Sequence, residues 1–230
     1  AKIIKCNGEK LHFLYLDDCA DDIDGDHTQI STMMDLEENN EVHNPIKIKM
    51  RIHKDAYFEK TNKLLEHIHR GDVYEANFCQ EFYAEDVSID PWETYKRLNA
   101  ISEPPFAAFM RLNDKYLMCA SPERYLRKEG TTLISQPIKG TARRDENETE
   151  DHFLKEQLAQ DEKERAENIM ITDLVRNDLS KSALKGSVRV EELCEVYTYK
   201  QVHQLISTVL AQIPTAKNPV ELIEETFPMG

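Results

Sequence analysis

A lysine, Lys139, stands between a predicted β-strand and a turn, with a proline before it and a glycine after it. Residues 131–134 have the composition of a strand, and Pro137 has no N–H to donate, so regular pairing is expected to stop there or pass to an edge. Gly140 carries no side chain and lets a ligand or another backbone approach closely. The segment thus holds a cationic nitrogen on a rigid strand end with open space beside it. Taken alone, it favours an ordinary turn lysine, because most lysines lie at the surface.

Two carboxylates, Glu164 and Glu167, lie in a segment with helical periodicity from residue 152 to about residue 177. Their spacing places both on the stripe that becomes purely apolar a few residues later. Partly buried carboxylates repel each other, and a divalent cation removes that penalty; an all-oxygen donor set suits Mg²⁺. The alternative is an exposed first turn, in which both complement the helix dipole and pair with Lys163 or Arg165.

Further polar candidates lie at a strand break and in an alternating segment. Glu123 follows Ser-Pro between two predicted strands, where a carboxylate faces a cleft or serves as a turn residue with equal ease. Residues 202–209 alternate, which puts His203 and Ser207 on one face and Gln204 on the other. A lone histidine in a strand is more often a satisfied structural residue than a ligand.

The elements that must position these residues come as a block of strands, then helices, then strands. This order predicts an α+β fold with a mostly antiparallel sheet, because a parallel sheet needs alternating strands and helices. The acidic run between Asp17 and Asp26 lacks the spacing of a calcium loop and is expected to be a solvated loop. The predicted elements are strands at 3–4 and 11–16, a helix at 55–70 stopped by Gly71, an extended segment at 72–83, a helix from Asp90-Pro91 to about 99, a meander of strands at 106–112, 115–121, 124–128 and 131–134, a loop at 142–151, helical residues 152–177 interrupted near Asp161, β-rich segments at 187–190, 196–199 and 201–213, and a helix from Asn218-Pro219 to 227.

The bulk composition excludes several classes of protein. The formal net charge of −14 opposes binding to nucleic acid or to an anionic membrane surface, since both repel an acidic protein. Five scattered cysteines without a C-x-x-C pair indicate free thiols in a reducing compartment. No apolar run approaches the ~20 residues that span a bilayer, and no apolar leader opens the chain. We expect a cytoplasmic protein with one domain over residues 1–230.

An ordered set of six motifs resembles one family, the chorismate-utilising enzymes, which include anthranilate, aminodeoxychorismate, isochorismate and salicylate synthases. The resemblance is strongest over residues 57–230, with residues 1–50 as a remnant of the family's N-terminal portion, and it implies a β/α sandwich. The lysine in the second motif resembles the aminodeoxychorismate synthases, since the similar anthranilate synthases carry alanine there. The motifs are S-P-E-R (121–124), P-I-K-G-T (137–141), K-E-R-A-E-N (163–168), D-L-V-R-N-D-L (173–179), V-H-Q-L-I-S-T-V (202–209) and F-P-M-G (227–230).

The resemblance implies a role for each candidate. Lys139 would attack the chorismate ring as the 4-hydroxyl leaves, and ammonia from a glutamine amidotransferase subunit would displace it, giving 4-amino-4-deoxychorismate for para-aminobenzoate and folate. Glu123 would be the general acid and base. Glu167, with Glu164 close behind, would bind Mg²⁺. The remaining implied substrate contacts are Gly140, Thr141, Gln204 and Ser207.

The chain departs from the family pattern in two places. Gln204 occupies the slot of the family's active-site histidine, and His203 lies one place earlier. The family also continues beyond F-P-x-G with segments that supply a second metal glutamate and a substrate-binding arginine. We therefore expect a C-terminally incomplete fragment of the fold. Two alternatives stay open: an anthranilate synthase component I-type enzyme, and a non-catalytic interaction fragment.

Overall fold

A computed structural model describes residues 2–33 and 45–228. The chain divides into two compact units, residues 1–87 and residues 88–230, and each is described by itself. The single domain expected over the whole chain stays a prediction. Met229 and Gly230 of the F-P-M-G motif lie outside the described residues.

The first unit contains a hairpin, three helical segments and a short strand pair. The predicted strands at 3–4 and 11–16 and the helix at 55–70 are confirmed. That helix ends at Gly71, whose φ of 80° is readily adopted by a residue without a Cβ. The segment expected to be extended, 72–83, contains only a two-residue strand. The elements are β1 (Lys2–Cys6), β2 (Leu11–Tyr15), a 3₁₀ helix (Asp17–Asp22), α1 (Ile23–Met33), β3 (Lys49–Met50), α2 (Lys54–Arg70) and β4 (Phe82–Tyr83).

The acidic run is helical, which corrects the expectation of a loop. It forms the 3₁₀ helix and the first turn of α1. The ammonium of Lys2 lies 2.8 Å from carboxylate oxygens of both Asp22 and Asp26, and the Tyr15 hydroxyl donates to Asp26 at 2.6 Å. These contacts offset the repulsion within the run. Lys2 and Tyr15 belong to the hairpin, so a sequence window limited to the run does not reveal them.

The described part of the second unit contains four helices, each with an asparagine or aspartate N-cap, as predicted at Asp90 and Asn218. Asp161, where an interruption was expected, ends one helix and caps the next. Its side chain accepts from the N–H of Glu164 at 2.9 Å. The elements are α3 (Pro91–Ser102), β5 (Phe106–Leu112), β6 (Lys115–Ser121), β7 (Arg124–Glu129), β8 (Thr132–Gln136), β9 (Ile138–Arg143), α4 (Glu148–Gln160), α5 (Glu162–Ser180), β10 (Arg189–Thr198), β11 (Val202–Gln212) and α6 (Pro219–Thr226).

The main sheet has the strand order β10-β11-β8-β7, and β9 also pairs with β11. Every strand pair in the described residues is antiparallel, which confirms the predicted sheet type. The predicted four-strand meander is wrong in one respect: β5 and β6 form a separate hairpin, and β7 pairs with β8. Pro122 separates β6 from β7 and has no N–H to continue a ladder.

Pro137 interrupts the pairing along β11 without ending it. Before the proline, Ser135 of β8 lies opposite Val209 of β11. After it, Ile138 of β9 lies opposite Ile206 of β11, so the register is the same on both sides. The segment expected as a loop from residue 142 therefore begins with the last residues of β9 and ends in α4. Alternating apolar residues did not mark β9, because its sequence is Ile-Lys-Gly-Thr-Ala-Arg.

The core lies between α5 and the sheet face formed by β8 and β11. Each fully buried leucine contributes about 1.5–3 kcal/mol to folding. A smaller cluster beside it contains Leu158, Cys194 and Leu205. All five cysteines are free, as predicted, and among the described residues no helix has the length and apolar character that crossing a bilayer requires. The main cluster is Leu133, Ile171, Val175, Leu179, Val209, Ala211, Ile213 and Leu222.

Candidate functional site

Lys139 and Gly140 lie at a β-bulge in β9. The strand has one residue more than β11 between two matched pairs, so Lys139 and Gly140 together oppose the single residue Leu205. Gly140 has a φ of 93°, in the left-handed region that favours glycine. A bulge re-aims the side chains around it and is common beside active sites. The matched pairs on either side are Ile138 with Ile206 and Thr141 with Gln204.

Gly140 packs directly against the first turn of α5. A Cβ on this glycine would lie 2.9 Å from Cδ1 of Leu205, and 3.1 Å from Cβ and 3.3 Å from Oε2 of Glu164. Such distances leave no room for a side chain. The structure therefore brings the Lys139 segment together with one of the two predicted metal-binding carboxylates.

Glu164 and Glu167 share one cation, Lys163. Its Nζ lies 3.5 Å from Oε1 of Glu167 and 3.6 Å from Oε1 of Glu164. Their negative charges raise the pKa of Lys163, with Glu167 as the larger cause. The predicted alternative of pairing with Lys163 is thus present, whereas Arg165 donates instead to the carbonyl of Ala159 at 3.1 Å.

The donor chemistry of this pair fits Mg²⁺. The two carboxylates lie within reach of the same ammonium, so their negative potentials overlap at one place. Mg²⁺ is commonly bound by one or two carboxylates and completes its shell with water and substrate oxygens. Within residues 2–33 and 45–228, no group of three or more histidine, cysteine, aspartate or glutamate side chains could hold a metal. Glu164 and Glu167 would therefore supply a partial site, with other oxygens completing it.

The Glu123 side chain hydrogen-bonds to the backbone of Ile138, the residue before Lys139. Its Oε1 accepts from the N–H of Ile138 at 3.1 Å, and its own N–H donates to Oγ of Ser121 at 3.1 Å. Both possibilities for this residue are present, because its backbone forms a turn with Ser121 and the residue also lines a cleft. A cavity of about 290 Å³ is lined by Ser121, Glu123, Arg124, Tyr125, Ser135, Pro137 and Val175.

Of the remaining substrate-contact candidates, Thr141 is exposed and the side-chain oxygen of Gln204 is enclosed. Thr141 is exposed, on the strand position opposite Gln204. Oε1 of Gln204 is enclosed and accepts no hydrogen bond from any described residue. A buried acceptor of this kind requires a water or ligand donor. Thr141 and Gln204 therefore stay candidates for substrate contact.

Ser207 does not have the accessible position that its predicted substrate contact requires. It is completely buried, its Oγ accepts from the N–H of Cys194 at 3.0 Å, and its hydroxyl donates to Oδ1 of Asn168. These bonds occupy the hydroxyl within the protein. Ser207 is on the β11 face that packs against α5, where the alternation of the strand places it, and it supports the site from inside.

His203 is a satisfied structural residue, as expected. It is buried, with Nδ1 3.0 Å from Oγ1 of Thr198 and Nε2 3.0 Å from Oδ1 of Asp151. The guanidinium of Arg144 holds the pKa of Asp151 well below its usual range, with help from the N–H of Asp145 and from His203. This cluster ties the loop after β9 to β11.

Sequence reasoning gave no role to Asn168, which the structure places at the centre of the site's support. Its side chain is completely buried, and Nδ2 donates to the carbonyls of Leu205 at 3.0 Å and Lys139 at 3.3 Å. A signal was present: Asn168 is four residues after Glu164, on the stripe that continues as Ile171 and Val175. An amide on an otherwise apolar stripe indicates buried hydrogen bonds.

Comparison with known proteins relates this geometry to characterised relatives. A family model described as chorismate binding enzyme matches residues 6–230. The chain is 39% identical over 177 residues to aminodeoxychorismate synthase component 1 of Escherichia coli (strain K12), covering 77% of this chain and 39% of that protein. It is 34% identical to anthranilate synthase component 1 of Thermus thermophilus, covering 77% and 38%. The chain thus spans well under half the length of these curated relatives.

A solved structure shows the same fold. Anthranilate synthase component I from Streptococcus pneumoniae superposes with a TM-score of 0.80 at 24% identity, over 96% of this chain and 51% of that one. The predicted α+β fold of this type is confirmed. The family match and the shared fold together establish that the chain belongs to the chorismate binding enzyme family.

Proposed function

We propose that the protein aminates chorismate to 4-amino-4-deoxychorismate, the step that leads to para-aminobenzoate and folate. One observation carries the proposal: Lys139 lies at a β-bulge between two carboxylates. Glu123 hydrogen-bonds the residue before it, and Glu164 packs against the residue after it. The 39% identity to an aminodeoxychorismate synthase component 1 supports the same reaction.

Lys139 acts as the nucleophile. Its amine, in the neutral form, makes a C–N bond to the chorismate ring while the bond between the ring and the 4-hydroxyl breaks. Glu123 donates the proton with which that hydroxyl leaves as water. Ammonia then forms a C–N bond at the ring, displaces the lysine nitrogen and gives up a proton to Glu123. The sum is chorismate plus ammonia to aminated product plus water, and no oxidant or reductant is required.

Glu164 and Glu167 are the proposed Mg²⁺ ligands. When bound, the cation neutralises the negative charge of the substrate carboxylates. This accounts for how a protein of net charge −14 takes up an anionic substrate. Glu164 also packs against Gly140, the residue after Lys139.

Ammonia is proposed to come from a separate glutamine amidotransferase subunit. The relatives named component 1 support an enzyme of more than one component. Chorismate and this subunit are the proposed partners, and the compartment is proposed to be the cytoplasm.

The nucleophile is tested with Lys139→Ala in the full-length protein, assayed for aminodeoxychorismate formation from chorismate and ammonia. We expect the rate to fall by several orders of magnitude, because the amine that forms the covalent bond is gone. Lys115→Ala is the matched control, since Lys115 is exposed at the start of β6. Undiminished product formation by Lys139→Ala would rule out the proposed mechanism.

The metal ligands are tested by calorimetry of chorismate binding with and without Mg²⁺. We expect Mg²⁺-dependent binding that Glu167→Gln weakens and Glu162→Gln preserves. Glu162 is an exposed glutamate in the first turn of the same helix. Absence of any metal-dependent binding would favour the non-catalytic alternative.

An anthranilate-type synthase is the second candidate, favoured by the 34% identity to anthranilate synthase component 1 of Thermus thermophilus. Chromatography of the products separates the two. Aminodeoxychorismate is expected, and anthranilate as the main product would select the second candidate.

A further inference from the structure

Asn168 connects α5 to both strands at the bulge. Its side-chain amide group has two hydrogens, and its two hydrogen bonds reach the carbonyls of Lys139 in β9 and Leu205 in β11. A bulge locally disrupts the regular ladder between two strands. At this disruption Asn168 contributes hydrogen bonds from outside the sheet, one to each strand.

The orientation of this amide is fixed by donors on its other side. Oδ1 of Asn168 accepts from the hydroxyl of Ser207, and it lies 3.6 Å from Sγ of Cys194. The Ser207 oxygen in turn accepts from the N–H of Cys194 at 3.0 Å. The carbonyls of Lys139 and Leu205 can only accept, so the NH₂ group of Asn168 faces them. Its Oδ1 therefore accepts the hydroxyl proton of Ser207, whose oxygen already accepts from the N–H of Cys194.

The result is an oriented chain of hydrogen bonds from β10, through β11 and α5, to the backbone of Lys139. Asn168 is completely buried, so water does not compete with these bonds. One helical turn earlier, Glu164 is in contact with Gly140. Helix α5 therefore holds the bulge at two successive places on one face, and the same helix carries both proposed metal ligands.

We propose that Asn168 is a positioning residue that fixes the backbone of Lys139 at a set distance from the carboxylates of α5. This inference rests on the proposed function of Lys139. It assigns to Asn168 no contact with substrate. Without Asn168, we expect the backbone at Lys139 to be less well fixed and its amine to react slowly, while chorismate still binds. The reason is that misplacing a reacting group lowers the rate of the chemical step.

The test uses Asn168→Asp in the full-length protein. This variant keeps the shape of the side chain and the acceptor for Ser207 but removes both donors to the carbonyls. The first measurement is hydrogen exchange by mass spectrometry over residues 138–142, which reports on the bulge without requiring activity. The second is the separation of kcat from KM for chorismate. Leu179→Ala is the matched control, since it destabilises the same helix from a buried position away from the bulge.

We expect exchange at 138–142 to rise in Asn168→Asp above its level in Leu179→Ala, and kcat to fall by about 10–100-fold with KM changed less than about threefold, as misplacement of a reacting group predicts. Ser207→Ala, which only releases the amide orientation, is expected to give the same pattern more weakly. It also keeps the test decisive where Asn168→Asp does not fold.

Unchanged exchange over residues 138–142 in both variants would overturn the proposal, and so would faster exchange with unchanged kcat. Failure of the proposed function is distinguishable, because it appears as full activity in Lys139→Ala whatever the exchange data show.

Discussion

Residues 2–87 and residues 133–226 are held together by different interactions. None of the described residues in the first region is buried, whereas every buried hydrophobic residue of the described chain lies in the second. The first region relies on exposed contacts such as Arg51, which pairs with Glu81 at 2.7 Å and lies 3.8 Å from the ring centroid of Tyr83. Exposed ion pairs contribute about 0–1 kcal/mol each.

The comparison explains where a precise site can be built. The proposed roles of Lys139 and the α5 carboxylates require fixed separations, which side chains that cannot move provide. In the second region Leu205 and Asn168 are both completely buried beside the bulge. The candidate site therefore lies beside Leu205, a member of the smaller of the two buried clusters found among the described residues.

The largest expected difference between the regions is the cost of removing a leucine side chain. Leu179→Ala, at 0% exposure in α5, should lower the free energy of unfolding by about 2–5 kcal/mol because it leaves a cavity. Leu65→Ala, at 42% exposure in α2, should cost about 1 kcal/mol or less. Urea denaturation measures both, and equal costs would contradict the difference between the two regions.

A smaller effect is expected from adding a methyl group at the bulge. Gly140→Ala should cost about 1–3 kcal/mol from its left-handed backbone, plus the displacement of Leu205 and Glu164. Gly130→Ala is the matched control, because Gly130 has a φ of 57° but no atom within 4 Å of an added Cβ. Thermal unfolding of both variants separates strain from packing. A Gly140→Ala variant as stable as Gly130→Ala would mean that the contact with α5 is loose.

The N-cap of α5 depends on one side-chain hydrogen bond in the second region. Asp161→Ala removes the acceptor for the N–H of Glu164 and should cost about 1 kcal/mol. Asp161→Asn keeps an acceptor and is expected to recover most of this loss. Equal destabilisation by the two variants, measured by urea denaturation, would contradict a capping role.

The smallest effect is the dependence of stability on pH at Asp151. Its folded-state pKa is lowered, chiefly by Arg144, so its contribution is present above the ordinary pKa of 3.8 and is lost as the pH falls further. The melting temperature of Asp151→Asn should lie below that of the unaltered protein at pH 7. The gap should narrow below about pH 4. A gap that does not change with pH would assign the effect to geometry and not to charge.

Local signals in the sequence predicted most of the helix and strand boundaries. Gly71 and Asn218 mark helix ends because backbone conformation and capping depend on neighbouring residues. The strands at 106–112 and 115–121 were predicted with these bounds, and they pair with each other. The helical acidic run and β9 were missed, because ion pairs with β1 stabilise the former and pairing with β11 defines the latter.

Residue types and spacing were enough to identify the groups that could do chemistry: Lys139 beside Gly140, and the carboxylates Glu164 and Glu167 at helical spacing before an apolar stripe. The contact of Gly140 with Glu164 is visible only in the folded chain. So is the hydrogen bond from Asn168 to the carbonyl of Lys139, 29 residues earlier. The difference comes from the distance along the chain over which each interaction acts. Propensity and spacing act within a few residues, whereas a bulge and the buried amide that supports it exist only when strands and a helix distant in the chain are packed together.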